Sequence, residues 1–240
     1  MRFAIFGDIH ANLEAFEAVL ADAKDLGCSR CVCLGDIVGY NASPNECIGL
    51  VQSLACPVVK GNHDDYASTL SPLDDFNPLA EAAILWTREK LSPKERQWLF
   101  ELPLVTSVEE FTIVHANLDD PAGWGYVLNQ LDAAASFSHQ ETKICFFGHT
   151  HVPRLYVRDK SVIGLPLTTL RCESQKIYFV NVGSVGQPRD GDWRAAYVVF
   201  DSEAEEITLR RLHYDIAQTQ EKILEAGLPF KLAERLLFGR

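Results

Sequence analysis

Five times in the first 151 residues, a short and mostly apolar run ends, usually through a glycine, on a side chain able to bind a metal ion. Phe3-Ala4-Ile5-Phe6-Gly7 leads to Asp8 and His10, and Val32-Cys33-Leu34-Gly35 leads to Asp36. Val58-Val59-Lys60-Gly61 leads to Asn62 and His63, Thr112-Ile113-Val114 to His115, and Cys145-Phe146-Phe147-Gly148 to His149 and His151. Runs of this length, set between helical patterns, read as strands of a layered α/β fold. In such folds the polar residues that follow successive strands converge at the strands' carboxyl ends. The seven metal-competent residues and His63 are therefore expected to share one mouth.

The intervening segments carry helix signals. Leu13, Phe16, Val19, Leu20 and Ala23 recur at helical spacing, with Asn12 placed to cap the start and Gly27 just past the end. Ser43-Pro44-Asn45-Glu46 predicts a capping box with proline at N1 and a helix to about Leu54. Pro57 to Lys60 reads as a third strand. Asn77-Pro78 and Ser92-Pro93-Lys94-Glu95 start two more helices, giving a helical excursion over about 65–102 that could cover a site. The second half leans toward strands, at Phe111–Val114, Ile144–Phe147, Arg154–Val157, Ile177–Val180, Ala195–Phe200 and Ile207–Leu212. A helical segment over about 216–237 breaks at Gly227-Leu228-Pro229. With no repeat and no linker-like stretch, the whole span 1–240 is expected to form one domain.

Charge narrows the partners. The 22 Lys and Arg against 33 Asp and Glu leave a net charge of −11, which disfavours duplex nucleic acid and anionic membrane surfaces. A small anionic substrate then needs a local cation. No apolar stretch approaches the ~18 residues of a membrane span, and the amino terminus has no signal-peptide pattern, so the cytoplasm is the expected location. Seven scattered cysteines do not resemble a disulfide framework. Cys28 and Cys31 have zinc-ligand spacing, but Cys31 and Cys33 lie in a strand-like run and no second pair follows. The sequence carries no signal for oligomeric state.

Two Asp, one Asn and up to five His offer oxygen and imidazole donors without thiolate, a set suited to Mn, Fe, Zn or Ni. Two such ions can clamp the attacking and leaving oxygens of a phosphoryl group. Taken singly, each motif is an ordinary turn or cap; the ordered set is specific.

GDIHAN at 7–12, GDIVG at 35–39, GNHD at 61–64, IVHAN at 113–117 and GHTH at 148–151 resemble, in order and spacing, the calcineurin-like metallophosphoesterases. NVGSVGQPRDGD at 181–192 is similar to the stretch that follows in the bacterial phosphodiesterase branch. The resemblance implies a four-layer αββα sandwich of two mixed sheets. It also implies two divalent ions per chain, Mn favoured, one held by Asp8, His10, Asp36 and His151 and the other by Asp36, Asn62, His115 and His149. His63 would be the general acid, protonating the leaving oxygen as a bridging hydroxide attacks phosphorus. The expected activity is hydrolysis of small phosphodiesters or nucleotides, dinucleoside polyphosphates among them. The alternatives are a phosphomonoesterase or protein phosphatase of the same family, and a scaffold without catalysis.

Two departures bear on substrate. The family's protein phosphatases read GDxVDRG, and this chain has Gly39 and Tyr40 where those enzymes have the Asp and Arg. The general acid thus lacks its usual orienting carboxylate, and the phosphate its usual arginine. Arg189 is a substitute phosphate contact if it faces the mouth; otherwise it pairs with Asp190 or Asp192. Asn12 and Tyr40 are further candidates to line the site, although helix capping already explains Asn12. His139 and His213 read as surface residues.

Overall fold

The computed structural model describes residues 1–74 and 76–240. In chain order the strands are β1 (Arg2–Phe6), β2 (Arg30–Cys33), β3 (Val105–Val108), β4 (Phe111–Val114), β5 (Ile144–Phe147), β6 (Arg154–Arg158), β7 (Val162–Pro166), β8 (Thr169–Arg171), β9 (Ile177–Asn181), β10 (Ala195–Asp201) and β11 (Glu206–Leu212). The helices are α1 (Leu13–Asp25), α2 (Pro44–Ser53), α3 (Asn62–Ser68), α4 (Pro78–Lys90), α5 (Pro93–Glu101), α6 (Gln130–Phe137), α7 (Ile216–Glu225) and α8 (Phe230–Leu236). Among the described residues these strands form two mixed sheets, in the orders β2-β1-β10-β11-β8 and β3-β4-β5-β9-β6-β7.

Strand alternation explains why the apolar runs are continuous. Phe3 and Ile5 face the second sheet, meeting Phe111, Ile113, Phe146 and Val180 in the inner layer. Ala4 and Phe6 point the other way, onto Phe16 and Val19 of α1 and Ile48 of α2. The second sheet repeats this, with Val114, Phe147 and Phe179 packed on Phe137 of α6. Both faces of both sheets are covered, which is the αββα sandwich. Phe111 centres the inner layer, edge-on to Phe3 at 5.2 Å and to Phe146 at 5.3 Å between centroids. Each such fully buried side chain contributes about 1.5–3 kcal/mol of transfer free energy.

Helix starts follow the sequence closely at three places. Asn12 accepts from Ala15 N, Asn77 accepts from Leu79 N and Ala80 N, and Ser92 forms a capping box with Glu95. Two local expectations need correction. Ser43 makes no side-chain cap, and its N–H is bound to Ala11 O, so the reciprocal capping box does not form. The strand expected at Pro57 to Lys60 reduces to one parallel bridge, Cys33 to Val58, because the Lys60 N–H leaves β2 for Pro103 O.

The parallel pairs β1–β2 and β4–β5 bring four carboxyl ends to one rim. Backbone bonds tie the loops there: Asp8 N to Gly35 O, Gly148 N to His115 O, and Gly186 N to Asp8 O. No helix among the described residues is long and apolar enough to cross a membrane.

Candidate metal centre

All the metal-competent residues meet at this rim. Asp8, His10, Asp36 and His151 form one group of donors and Asp36, His115 and His149 another, each with its donor atoms within 4.8 Å of one another. Asp36 is common to both. Its Oδ2 lies 3.5 Å from His10 Nε2 and 3.4 Å from His115 Nε2, while its Oδ1 accepts from His63 N at 2.8 Å. The backbone bond fixes one carboxylate oxygen so that the other faces both histidines.

The histidine tautomers follow from their outer hydrogen bonds. His10 Nδ1 faces Val38 O at 3.1 Å, His115 Nδ1 faces Leu34 O at 2.8 Å, His149 Nε2 faces Trp124 O at 2.9 Å and His151 Nδ1 faces Gln187 O at 2.6 Å. A carbonyl only accepts, so each of these nitrogens carries the proton and each ring turns its other nitrogen inward. Metal-ligating histidines are held in this way. His10 Nε2 then faces His151 Nε2 at 3.0 Å, and His115 Nε2 faces His149 Nδ1 at 3.2 Å. Between His10 and His151 two lone pairs face each other and repel, whereas between His115 and His149 the gap is spanned in the metal-free protein by the proton on His115 Nε2. Bonds of about 2.1 Å to a shared ion put neighbouring ligand atoms roughly 3.0–3.4 Å apart, so a cation turns the repulsion into attraction. Asn62 Oδ1 points in the same direction, being buried without a hydrogen-bond partner.

Electrostatics agree. Burial pushes His10 and His151 below the ordinary histidine value and His149 down to about 3, with Asp36 opposing it at His10 and nearby cationic groups adding to it at all three, so these rings are neutral lone-pair donors. His115 differs: burial opposes its charge, but Asp36 beside it, with Asp8, lifts it to about 9. Burial also opposes charge on Asp36, yet His115 and His63 hold its carboxyl well below the usual range.

The backbone is strained to achieve this convergence. Asp8, His10, Asp36, His149 and His151 all have φ between 49° and 67°. That left-handed region costs an L-residue about 1–2 kcal/mol, and it concentrates at functional sites. Gly148 adds a close approach, since a Cβ there would fall 2.4 Å from Asp8 Oδ2, the oxygen that accepts from His149 N at 3.0 Å.

His63 stands beside the cluster, its ring 4.8 Å from His10 and 4.5 Å from Tyr40. Its Nδ1 is buried without a partner and lies against Gly39. Burial pushes His63 down to about 4. Arg189 pairs with neither acid considered for it: Asp190 binds Arg211 and Asp192 binds Arg194. Arg189 Nη2 instead donates to Tyr40 Oη at 3.1 Å and to Gln187 Oε1 at 3.0 Å. Asn12 is engaged within the fold, through Gly186 O, Ala15 N and Thr219 Oγ1. His139 and His213 are exposed.

Three features were not foreseen from sequence. Asp64 accepts from Ile37 N at 2.9 Å, Val38 N at 3.3 Å and Gly61 N at 3.1 Å, clamping the two ligand loops together. Its place in GNHD was the available signal. Next, a cavity of about 280 Å³ opens on Asn62, His63 and His149 between the rings of Tyr40, Tyr66, Phe76, Trp124 and Tyr126. Tyr126 stacks on His149 at 4.3 Å. Last, Arg235 of α8 reaches the ring of Tyr40. A larger cavity of about 550 Å³, against Arg96 and Phe100, contains none of these groups.

Residues 1–205 match the model of the calcineurin-like phosphoesterase superfamily domain, and the chain belongs to that family. It is a metallophosphoesterase, a hydrolase of phosphoesters, in a family that depends on two metal ions. The chain is similar to a metallophosphoesterase from Sphaerobacter thermophilus, with 41% identity, a TM-score of 0.88, and 100% of this chain and 99% of that one covered. It is 38% identical to an uncharacterized protein of Methanocaldococcus jannaschii, over 99% of this chain and 98% of the relative. A hypothetical protein from Pyrococcus horikoshii OT3, 20% identical with a TM-score of 0.82 over 100% of this chain and 98% of its own, shares the fold.

Proposed function

We propose that this chain is a dimetal phosphoesterase acting on small phosphodiesters or nucleotides, dinucleoside polyphosphates among them. The observation that carries the reading is Asp36 Oδ2, one oxygen facing the donors of both groups. In this reading Asp8, His10, Asp36 and His151 hold one ion and Asp36, Asn62, His115 and His149 the other. Manganese is favoured, with iron, zinc and nickel suited to the same ligands. Bound there, the ions supply Lewis acidity toward the phosphoryl oxygens and lower the pKa of water.

The remaining work falls to side chains of this chain. His63 donates a proton to the leaving oxygen, and Arg189 contacts the phosphate from beside Tyr40. A phosphate entering next to His63 raises its pKa from about 4, which is how a ring kept neutral by burial becomes a donor in the complex. The aromatic walls of the cavity suit an ester with a planar group, as a nucleotide has. With Gly39 and Tyr40 in place of an Asp and an Arg, phosphoprotein and simple monoester substrates fit less well. Seven unpaired cysteines suit a reducing compartment, the cytoplasm.

The test is a screen of metal-depleted protein against phosphomonoesters, cyclic nucleotides, a nitrophenyl diester and dinucleoside polyphosphates, with and without added Mn, Fe, Zn and Ni. Metal-dependent turnover that favours diesters or nucleotides supports the reading. Turnover confined to monoesters overturns the substrate assignment, and none with any metal overturns the activity.

A further inference from the structure

The family match ends at residue 205, yet the chain beyond it packs against Tyr40, a residue that lines the site. Ile223 of α7 and Leu232, Ala233 and Leu236 of α8 pack with Ala80 and Ala83 of α4 around Tyr40. Tyr40 is 4% exposed and has two kinds of neighbour. The rings of His63 and His10 lie at 4.5 Å and 4.7 Å. Two cations also reach its ring, with the guanidinium carbons of Arg189 and Arg235 at 5.6 Å and 5.8 Å from the centroid.

Neither arginine has a side-chain carboxylate within 4.0 Å among the described residues, whereas Asp190 and Asp192 beside Arg189 are paired elsewhere. Arg189 uses Nη2 on Tyr40 and Gln187, and Arg235 uses Nε on Arg240 O at 2.5 Å. Arg189 Nη1 and both terminal nitrogens of Arg235 make no hydrogen bond among the described residues. Burial, and then the charge of Arg189, lowers the pKa of Arg235. In a chain of net charge −11, two guanidinium groups on one tyrosine ring, neither paired with a side-chain carboxylate among the described residues, call for an anion. Guanidinium forks match phosphate oxygens in pairs.

We propose that Arg189 and Arg235 form an anion grip that holds a second phosphate of the substrate, next to the one that reacts. The proposal rests on the phosphoesterase reading above and narrows it to esters with two or more linked phosphates. Arg189 is the inner member: its backbone N–H donates to His151 O at 3.2 Å, and its charge acts on His10, His63 and His151. Arg235 is the outer member and acts on substrate binding without touching the reacting phosphorus.

The test compares kcat/KM with Mn for a dinucleoside tetraphosphate and for bis(p-nitrophenyl) phosphate, in wild type, Arg235→Gln and Arg235→Lys. Arg235→Gln is expected to lose about 10- to 100-fold on the tetraphosphate, mainly through KM, as for one charge-assisted contact. On the single-phosphate ester the loss should be about threefold or less. Arg235→Lys, which keeps the charge and the ring contact, should recover part of the loss and supplies the comparison should the Gln variant fail to fold. Equal losses on the two esters would mean that Arg235 only positions Tyr40, and an undiminished tetraphosphate reaction would mean that it binds nothing; either overturns the grip. Wild type that hydrolyses the diester but not the tetraphosphate overturns the grip alone, whereas no turnover of either ester overturns the phosphoesterase reading with it.

Discussion

Gly39 lies directly against His63: a Cβ on Gly39 would fall 2.3 Å from His63 Nδ1, and that nitrogen is buried with no hydrogen-bond partner. Where the family's protein phosphatases carry an aspartate, this chain has a residue whose lack of a side chain makes room for the ring. His63 is therefore oriented by packing against Tyr40, His10 and Phe76 rather than by a carboxylate.

Gly39→Ala should accordingly damage catalysis. The residue has φ of +93°, so alanine is strained there by more than about 1 kcal/mol, and its methyl must displace the imidazole. A loss of at least about tenfold in turnover is expected, as a misplaced proton donor gives. Steady-state kinetics alongside thermal unfolding check this. A variant as active as wild type would show that the position of His63 is irrelevant.

His63→Ala should lower turnover about 10²–10⁴-fold on a substrate with a poor leaving group, and much less on a nitrophenyl ester whose oxygen hardly needs a proton. Metal content should stay near that of wild type, because Asn62 and not His63 offers the orphaned oxygen. Equal losses on both substrates, or loss of metal, would assign His63 another role.

Asp36→Asn should weaken both ions, since the oxygen 3.5 Å from His10 and 3.4 Å from His115 loses its charge. His10→Ala removes a donor from one group only and should leave one ion in place. Metal analysis after dialysis at limiting Mn separates the two. The same stoichiometry in both variants would contradict a shared carboxylate.

What the sequence made legible, and what it did not, follows from the range of the forces involved. Asp8, Asp36, His115 and His149 could be read because each directly follows an apolar run, and strand direction alone carries them to one rim. Asn77 and Ser92 announced helices because a cap is a contact over two or three residues. Pro57 to Lys60 misled because its pairing was decided by Pro103, more than 40 residues away. Arg235 was invisible for a similar reason. Nothing in FKLAERL marks one arginine for the site until α7 and α8 fold back onto Tyr40. Trp124 and Tyr126 sit in a loop without any periodic pattern, and their role rests on contact with His149.

His115 yields a prediction about protons. In the metal-free protein it is lifted to about 9, burial opposing and Asp36 with Asp8 prevailing, so near pH 8 the ring is mostly protonated. Its Nε2 must lose that proton before it can donate to a metal ion. His10, His149 and His151 are held below the ordinary value and are already neutral, so they release none. Asp64, pushed up to about 7 by burial and by Asp36, is largely ionised at pH 8 and adds little. His115 should therefore contribute roughly one proton to the release when Mn binds at pH 8, a share that shrinks above pH 9 as the free protein deprotonates on its own and that adds to the proton lost by metal-bound water. Calorimetric titration in buffers of different ionisation enthalpy measures the number directly. In Asp36→Asn, where the partner that raises His115 is gone, the release at pH 8 should shrink. Metal binding without proton release at pH 8 in the wild type would mean that His115 does not carry the proton that the metal replaces.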